Sequence, residues 1–327
     1  MTEPRKDAPA IGNEVATAAA PSPTPPTSLA TSLATSLADH AEGARLLEAL
    51  GVAPGARLSD ADLAALNAVA TQTDEAHITP SAFMAYVLQR QGRTLAEAQL
   101  PPLLFATFQS REFAALVEIT QAKPPEQSPI PTVPIALGSL DGKGGTPVAV
   151  AQLRVGAPAA VADIEELIAL GVRDILVAGI AGSLQPTLPI GSLLLPTGAI
   201  REEGTSFHYV PAGEGVAPDS TLLRALANAA TTLHTPVTTG PVWTTDAPYR
   251  ELASKIQAYS AAGVLAVEME ASALFAVAAL RKARLALALA VSDELFHPWR
   301  PGFHSAELTQ AYPLLARLVT TAAAQLK

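Results

Sequence analysis

The chain has no cysteine among its 327 residues. Disulfide bonds, a thiolate nucleophile and a cysteine-ligated metal are therefore excluded. Histidine is also scarce, and its six residues are scattered, with no His-Glu-x-x-His zinc motif. We therefore expect no metal site in this protein.

Aromatic residues make up 5% of the chain and charged residues 16%, whereas hydrophobic residues make up 49%. Alanine, leucine and valine must therefore fill a sizeable core. The net charge is -9, so we expect no nucleic-acid partner, because phosphate neutralisation needs basic residues. No stretch typical of a secretory signal is recognised, and the apolar run 285–291 is too short to span a bilayer. We expect a cytoplasmic protein without a membrane partner.

The composition changes twice along the chain. Residues 1–38 are rich in Pro, Ala, Ser and Thr, and we predict a disordered tail. For residues 39–131, the sequence pattern predicts a mostly helical extension that belongs partly to the catalytic fold. In 132–327, strand-length apolar runs alternate with amphipathic helices, which indicates an α/β fold. We expect a single three-layer domain with a central mixed, mostly parallel sheet flanked by helices.

Ligands of such sheets bind beyond the carboxyl ends of the strands, so the residues after each apolar run are the candidates for a site. Gly179 and Gly182 follow one such run, and this spacing predicts a tight turn whose N–H groups could hold an anion. A plain structural turn would have the same spacing.

Two glutamates flank Met269 where an apolar strand gives way to an apolar helix. Glu268 and Glu270 could accept hydrogen bonds from the vicinal hydroxyls of a sugar, or cap the following helix. Asp293 ends the most apolar strand, where it could act as a general acid or as a helix cap.

The segment 243–251 follows another predicted strand. Thr245 or Asp246 could cap a helix that starts near Pro248, a residue well suited to a first helical position. Tyr249 could stack on a flat base, although core and rim positions are also common for such residues.

The run Val267-Glu268-Met269-Glu270-Ala271 resembles the ribose-binding motif of the nucleoside phosphorylase I family, which includes bacterial uridine and purine nucleoside phosphorylases. Other stretches match the family in the same order along the chain: Gly156-Ala157-Pro158, 179–186, 204–209, 244–249 and 291–293.

The resemblance implies an enzyme, a pentosyltransferase of nucleoside catabolism and purine salvage. Phosphate would attack the anomeric carbon of the nucleoside as the base leaves, through an oxocarbenium-like transition state. Inorganic phosphate would be the co-substrate, with no cofactor. The family's assemblies imply a homo-oligomer, based on dimers or forming a hexamer.

The resemblance also implies roles for individual residues. Glu270 would hold the 2′- and 3′-hydroxyls, Met269 would pack under the sugar, and Glu268 would help at the 2′-hydroxyl. Asp293 would protonate the leaving base, and this residue favours purines because typical uridine phosphorylases lack it. The matching stretches supply two further groups: Thr245, Asp246, Pro248, Tyr249 and Ser292 at the base, and Gly156, Gly179, Ile180, Ala181 and Gly182 at the phosphate.

The chain departs from the family at the phosphate. Val177 and Ile180 stand where the family's phosphorylases have an arginine and a serine or threonine, and the first glycine of an earlier loop is missing before Gly156. Either other cations (Arg154, Arg201 or an arginine of a neighbouring subunit) supply the charge, or water replaces phosphate. Three hypotheses follow: a phosphorylase, a nucleosidase that hydrolyses the same bond, or a non-catalytic nucleoside-binding or interaction protein.

Overall fold

The computed structural model describes residues 76–296 and 298–326. The predicted tail at 1–38 and the first part of the predicted extension, up to residue 75, lie outside the described residues. The described helices are α1 (Pro80–Gln89), α2 (Ser110–Thr120), α3 (Ala157–Ala169), α4 (Ser220–Thr232), α5 (Ala253–Ala261), α6 (Ala271–Arg281) and α7 (Ala306–Ala323), with 3-10 turns at Ser206–His208 and Pro248–Arg250. The described strands are β1 (Leu103–Thr107), β2 (Ile135–Ser139), β3 (Pro147–Gln152), β4 (Asp174–Ser183), β5 (Leu193–Arg201), β6 (Val237–Thr244), β7 (Ala266–Glu268), β8 (Arg284–Glu294) and β9 (Arg300–Pro301).

These strands form a mixed sheet in the order β2-β3-β1-β4-β7-β6-β5-β8-β9. Strand β8 also pairs with β4, so that β4, β7, β6, β5 and β8 close into a ring. Strand β1 pairs in parallel with β3 and β4, and β4 pairs in parallel with β8. The predicted α/β fold with a central mixed sheet is confirmed.

The sequence explains why β4 and β8 lie at the centre. All but the first of the eleven residues of β8 are buried, which is typical of a strand covered on both faces. Helix α6 is rich in alanine, and its residues 271–278 are all buried. A helix that is apolar all round must be covered on every side, and small side chains let α6 pack closely on α3 and the sheet.

The predicted tight turn at Gly179 and Gly182 is wrong, because β4 continues through both residues to Ser183. Neither glycine has a positive φ. Their role is close packing: a Cβ on Gly179 would lie 3.1 Å from Leu289, and one on Gly182 would collide with Leu295. The glycines therefore let neighbouring chain segments approach the strand.

Two other local predictions need adjustment. The helix predicted to start near Pro248 is divided into the 3-10 turn Pro248–Arg250 and the shorter α5, and Leu252 lies between them as the N-cap of α5. The apolar strand predicted before the two glutamates is only three residues long as β7, and Glu268 is its last residue. No helix in the described part of the chain is long and apolar enough to cross a membrane.

Candidate active site

A cavity of about 820 Å³ lies where β4, β7 and β8 end. It contains many of the residues that the sequence singled out: Ile180, Ala181, Gly182, Pro248, Tyr249, Glu268, Met269, Glu270, Ser292 and Asp293. Val267, the first residue of the quoted motif, also lines it. The sequence did not identify the other lining residues: Phe108, Gln109, Val155, Glu251, Ala253, Ile256, Gln257, Leu295, Phe296, Trp299 and Phe303.

Glu270 lies in the turn between β7 and α6, with its side chain almost fully buried. Its Oε1 atom accepts a hydrogen bond of 2.6 Å from the N–H of Gly156, the N-cap residue of α3. Burial raises the pKa of Glu270, and the nearby charge of Glu268 raises it further. The carboxylate therefore occupies a helix N-terminus, where an external anion would otherwise be favoured.

Glu268 caps α6 and shapes the turn that presents Glu270. Its Oε2 accepts hydrogen bonds from the N–H groups of Glu270 (2.7 Å) and Ala271 (2.6 Å), and its Oε1 accepts one from the Thr244 hydroxyl (2.5 Å). Burial raises the pKa of this carboxyl as well. Both oxygens of Glu268 therefore already have protein donors, and the side chain fixes the position of Glu270.

Asp293 lies within β8, so it does not cap a helix. Its Oδ1 accepts a hydrogen bond from the Ser292 hydroxyl (2.7 Å), and its Oδ2 accepts one from the indole N–H of Trp299 (2.9 Å). Strand β9 follows Trp299 and pairs with β8, which brings the indole back over Asp293. No spacing or periodicity in the sequence marks Trp299 as part of the site.

Two residues predicted at the base do not line the cavity. Thr245 is buried, its N–H donates to the Glu268 carbonyl (2.9 Å), and its hydroxyl accepts from the N–H of Ala247. The carboxylate of Asp246 accepts from the N–H of Gly204 (2.9 Å). Both residues fix the loops around the site. Tyr249 lies at the cavity rim and is fully exposed.

One wall of the cavity, which we call the acceptor wall, is formed by Phe108, Gln109, Val155 and Ile180. It lies on the side where the family resemblance predicts phosphate. None of the described residues that line the cavity is a lysine, arginine or histidine. Val177 is fully buried in β4 and does not reach the cavity.

The two cations that the sequence offered as replacements are engaged elsewhere. The guanidinium of Arg154 pairs with the buried carboxylate of Asp163 at 2.5 and 2.9 Å. The guanidinium of Arg201 donates to the Ser206 hydroxyl and to three carbonyl groups between residues 210 and 214. Neither side chain lines the cavity, so neither supplies charge at the acceptor wall.

A buried acid stands directly behind the acceptor wall. Glu112 is 1% exposed, and its Oε2 accepts a hydrogen bond of 3.1 Å from the N–H of Gln109. Its Oε1 has no hydrogen-bond partner among the described residues. Burial raises the pKa of this carboxyl to about 8. An anion at the wall would meet no positive side chain and a nearby acid.

The cavity thus combines the buried carboxyl groups of Glu268, Glu270 and Asp293 with a wall that carries no charged side chain. No group of three or more His, Asp or Glu side chains in the described ranges is arranged to hold a metal ion. A family model for the phosphorylase superfamily matches residues 103–324. This chain belongs to the phosphorylase superfamily.

Individual relatives are similar in sequence to this chain over part of their length. The uridine phosphorylase of Treponema pallidum is 36% identical over 157 residues, which cover 45% of this chain and 61% of the relative. The guanosine phosphorylase of Halorubrum lacusprofundi is 35% identical over 134 residues, which cover 41% of this chain and 56% of the relative. In both cases the match spans less than two thirds of the relative.

Solved structures share the fold over more of their length. The purine nucleoside phosphorylase of Toxoplasma gondii in complex with immucillin-H has a TM-score of 0.64 and 22% identity, with 70% of this chain and 92% of that chain covered. A uridine phosphorylase of Vibrio fischeri has a TM-score of 0.62 and 21% identity, with coverages of 69% and 93%. At this identity the likeness shows the fold.

Proposed function

We propose that this protein cleaves the N-glycosidic bond of a purine nucleoside with phosphate, giving the free base and ribose 1-phosphate. The observation that carries the proposal is that the turn holding Met269 and Glu270 and the acid Asp293 line the same cavity. The family and the relatives, a uridine and a guanosine phosphorylase, support phosphate as the acceptor.

The mechanism follows from the two ends of the nucleoside. The Glu270 carboxylate accepts hydrogen bonds from the vicinal ribose hydroxyls, and Met269 packs under the ring. As the glycosidic bond breaks, the sugar gains positive charge, which the buried carboxylate stabilises. Asp293 in its acid form donates a proton to the leaving base. A purine offers N7 as the acceptor for that proton, which is why Asp293 favours purines.

A second candidate function is hydrolysis of the same bond by water. The acceptor wall favours it, because Phe108, Val155 and Ile180 are apolar and no cation lines the described cavity. Water needs no charge neutralisation, whereas a phosphate dianion does. In a homo-oligomer, an arginine from a neighbouring subunit that reached the acceptor wall would restore phosphate as the acceptor.

Base release from inosine, guanosine and adenosine, measured with and without phosphate, separates the two functions. The phosphorylase proposal expects release to require phosphate and ribose 1-phosphate to accumulate. Release that is independent of phosphate, with free ribose as the product, would contradict it and favour hydrolysis. If no nucleoside is turned over by the folded oligomer, the third hypothesis, a non-catalytic nucleoside-binding or interaction protein, would replace both.

A further inference from the structure

Glu203 is a buried acid to which the proposed mechanism gives no role. It lies between β5 and the 3-10 turn Ser206–His208, is 1% exposed and does not line the cavity. Its Oε2 accepts a hydrogen bond of 2.8 Å from the N–H of Ser206. Its Oε1 accepts one of 2.7 Å from the hydroxyl of Ser272, the second residue of α6. One oxygen thus serves the local turn, and the other reaches a distant helix.

A chain of hydrogen bonds continues from Ser272 to the turn that presents Glu270. The N–H of Ser272 donates to the Thr244 hydroxyl oxygen (3.0 Å), and the Thr244 hydroxyl donates to Oε1 of Glu268 (2.5 Å). Oε2 of Glu268 accepts from the N–H of Glu270. Thr244 and Ser272 are fully buried, so water does not compete for these bonds. The chain therefore links the loop after β5 to the position of Glu270.

The charge of Glu203 is costly at a buried position whose local turn needs only one acceptor. A carboxylate differs from a serine or asparagine cap in offering two acceptor oxygens, one for each of the two segments that it joins. Arg201, whose guanidinium donates to the Ser206 hydroxyl, is close enough to Glu203 for their charges to attract. This attraction offsets part of the cost of burial. The second oxygen, which binds Ser272, is the one that the local turn leaves unexplained.

We propose that Glu203 is a positioning residue for the sugar, which fixes the first turn of α6 through Ser272 and thereby holds the Glu270 carboxylate beside the ribose hydroxyls. The inference rests on the proposed function, in which Glu270 accepts hydrogen bonds from those hydroxyls. Glu270 is the N-cap residue of α6, two positions before Ser272, so a shift of the first turn moves both. A displacement of about 1 Å at a binding group can cost about one hundredfold in rate.

The test is the ratio of kcat/KM for inosine to kcat/KM for 2′-deoxyinosine, because this ratio reports how well the 2′-hydroxyl is held. Ser272→Ala removes the hydroxyl that joins Glu203 to α6. This variant should lower kcat/KM for inosine about tenfold and the ratio about fivefold, the value of one hydrogen bond. Glu203→Ala should lower the ratio equally, and the double variant no further, because both changes break the same link.

The conservative variant Glu203→Gln should keep the ratio close to the wild-type value. Its carboxamide can accept from one partner and donate to the other, so both segments stay joined. Glu202→Gln changes the adjacent acid, which pairs instead with Lys255 of α5, and should leave the ratio unchanged. Glu118→Gln, an exposed acid on α2, is the surface control.

An unchanged ratio in Ser272→Ala, whatever the loss in rate, would overturn the inference, because a general defect of folding lowers both rates alike. Losses in the ratio that add in the double variant would also overturn it. If Glu203→Ala does not fold, the comparison of Ser272→Ala with Glu203→Gln decides.

If the wild-type protein cleaves no nucleoside, the proposed function fails, and calorimetric binding of inosine and 2′-deoxyinosine decides the role of Glu203. Tighter binding of inosine by the wild type, with the preference lost in Ser272→Ala, would support the inference. Equal binding of the two nucleosides by the wild type, or binding of neither, would overturn it.

Discussion

The two sides of the cavity are built in opposite ways. On the side proposed to bind the sugar and the base, Glu270 and Asp293 are buried, and protein donors hold each carboxylate in place. On the other side, the acceptor wall is apolar except for Gln109, and the acid behind it, Glu112, has an oxygen without a partner among the described residues. Under the proposed function, this difference would make recognition of a nucleoside and recognition of a phosphate separable properties of the site.

Electrostatics explains why the two sides differ in what they can bind. A nucleoside is neutral, so a lining carboxylate such as that of Glu270 could accept hydrogen bonds from its hydroxyl groups without charge repulsion. A phosphate brings charge into a place where Glu270 already occupies the N-terminus of α3. Without a cation from a partner, the repulsion between these charges works against phosphate binding.

The largest effect is expected at the base side. Asp293→Asn should lower kcat/KM for a purine nucleoside about 10²- to 10⁴-fold, because general acid catalysis contributes that much. Steady-state kinetics with inosine and guanosine gives the value, and an unchanged melting temperature shows that the variant folds. A loss below tenfold would mean that the leaving base receives its proton from another group.

The sugar side should show the next largest effect. Glu270→Gln removes the negative charge beside the developing cation, and kcat/KM should fall about 10²- to 10³-fold. The wild type should also discriminate against a 2′-deoxynucleoside, and the variant should discriminate less, because the hydroxyl has lost its partner. Glu118→Gln is again the control. Equal discrimination by both proteins would place the hydroxyl contact elsewhere.

The protonation state of Glu112, the acid behind the acceptor wall, can be tested through the stability of the protein. The pKa of Glu112 is about 8 in the folded protein, against an ordinary value of 4.5, so the folded state holds its proton over that pH range. The free energy of unfolding should therefore decrease as pH rises from 4.5 to 8, by an amount on the order of 5 kcal/mol from this group. Glu112→Gln should remove that part of the decrease.

Urea denaturation at pH 5 and pH 8 measures the contribution of Glu112. The variant and the wild type should differ little at pH 5, and the variant should be more stable at pH 8. Parallel stability profiles would show that Glu112 does not hold a proton in the folded protein.

The smallest effect is expected at Trp299. Trp299→Phe keeps an aromatic ring but removes the N–H that donates to Asp293, so kcat/KM should fall about fivefold, the value of one partly exposed hydrogen bond. Steady-state kinetics with inosine and guanosine gives the value, and an unchanged kcat/KM would assign Trp299 to packing alone.

The sequence predicted the acids of the site because they break a local pattern. Glu268, Glu270 and Asp293 stand out as charges at the ends of apolar runs, where charge is costly unless it is used. The sequence alone could not decide between sugar binding and helix capping for Glu268. Its three donors, which belong to Thr244, Glu270 and Ala271, come close to the carboxylate only in the folded protein.

The features that the sequence did not predict depend on contacts between segments that are distant along the chain. The spacing of Gly179 and Gly182 predicted a turn, but these glycines make room for Leu289 and Leu295. Both leucines lie more than one hundred positions later in the chain. Glu251 and Trp299 belong to irregular segments with no periodicity to read. The ring of strands also depends on the pairing of β8 with β4, which no local pattern encodes.

The most direct test of the account is release of free base from guanosine and inosine by the purified wild-type protein. The measurement is made in parallel with Asp293→Asn and over a range of phosphate concentrations from zero. The account predicts base release by the wild type and a loss of about 10²- to 10⁴-fold in the variant. A folded wild-type protein that releases no base from any nucleoside, with or without phosphate, would contradict it.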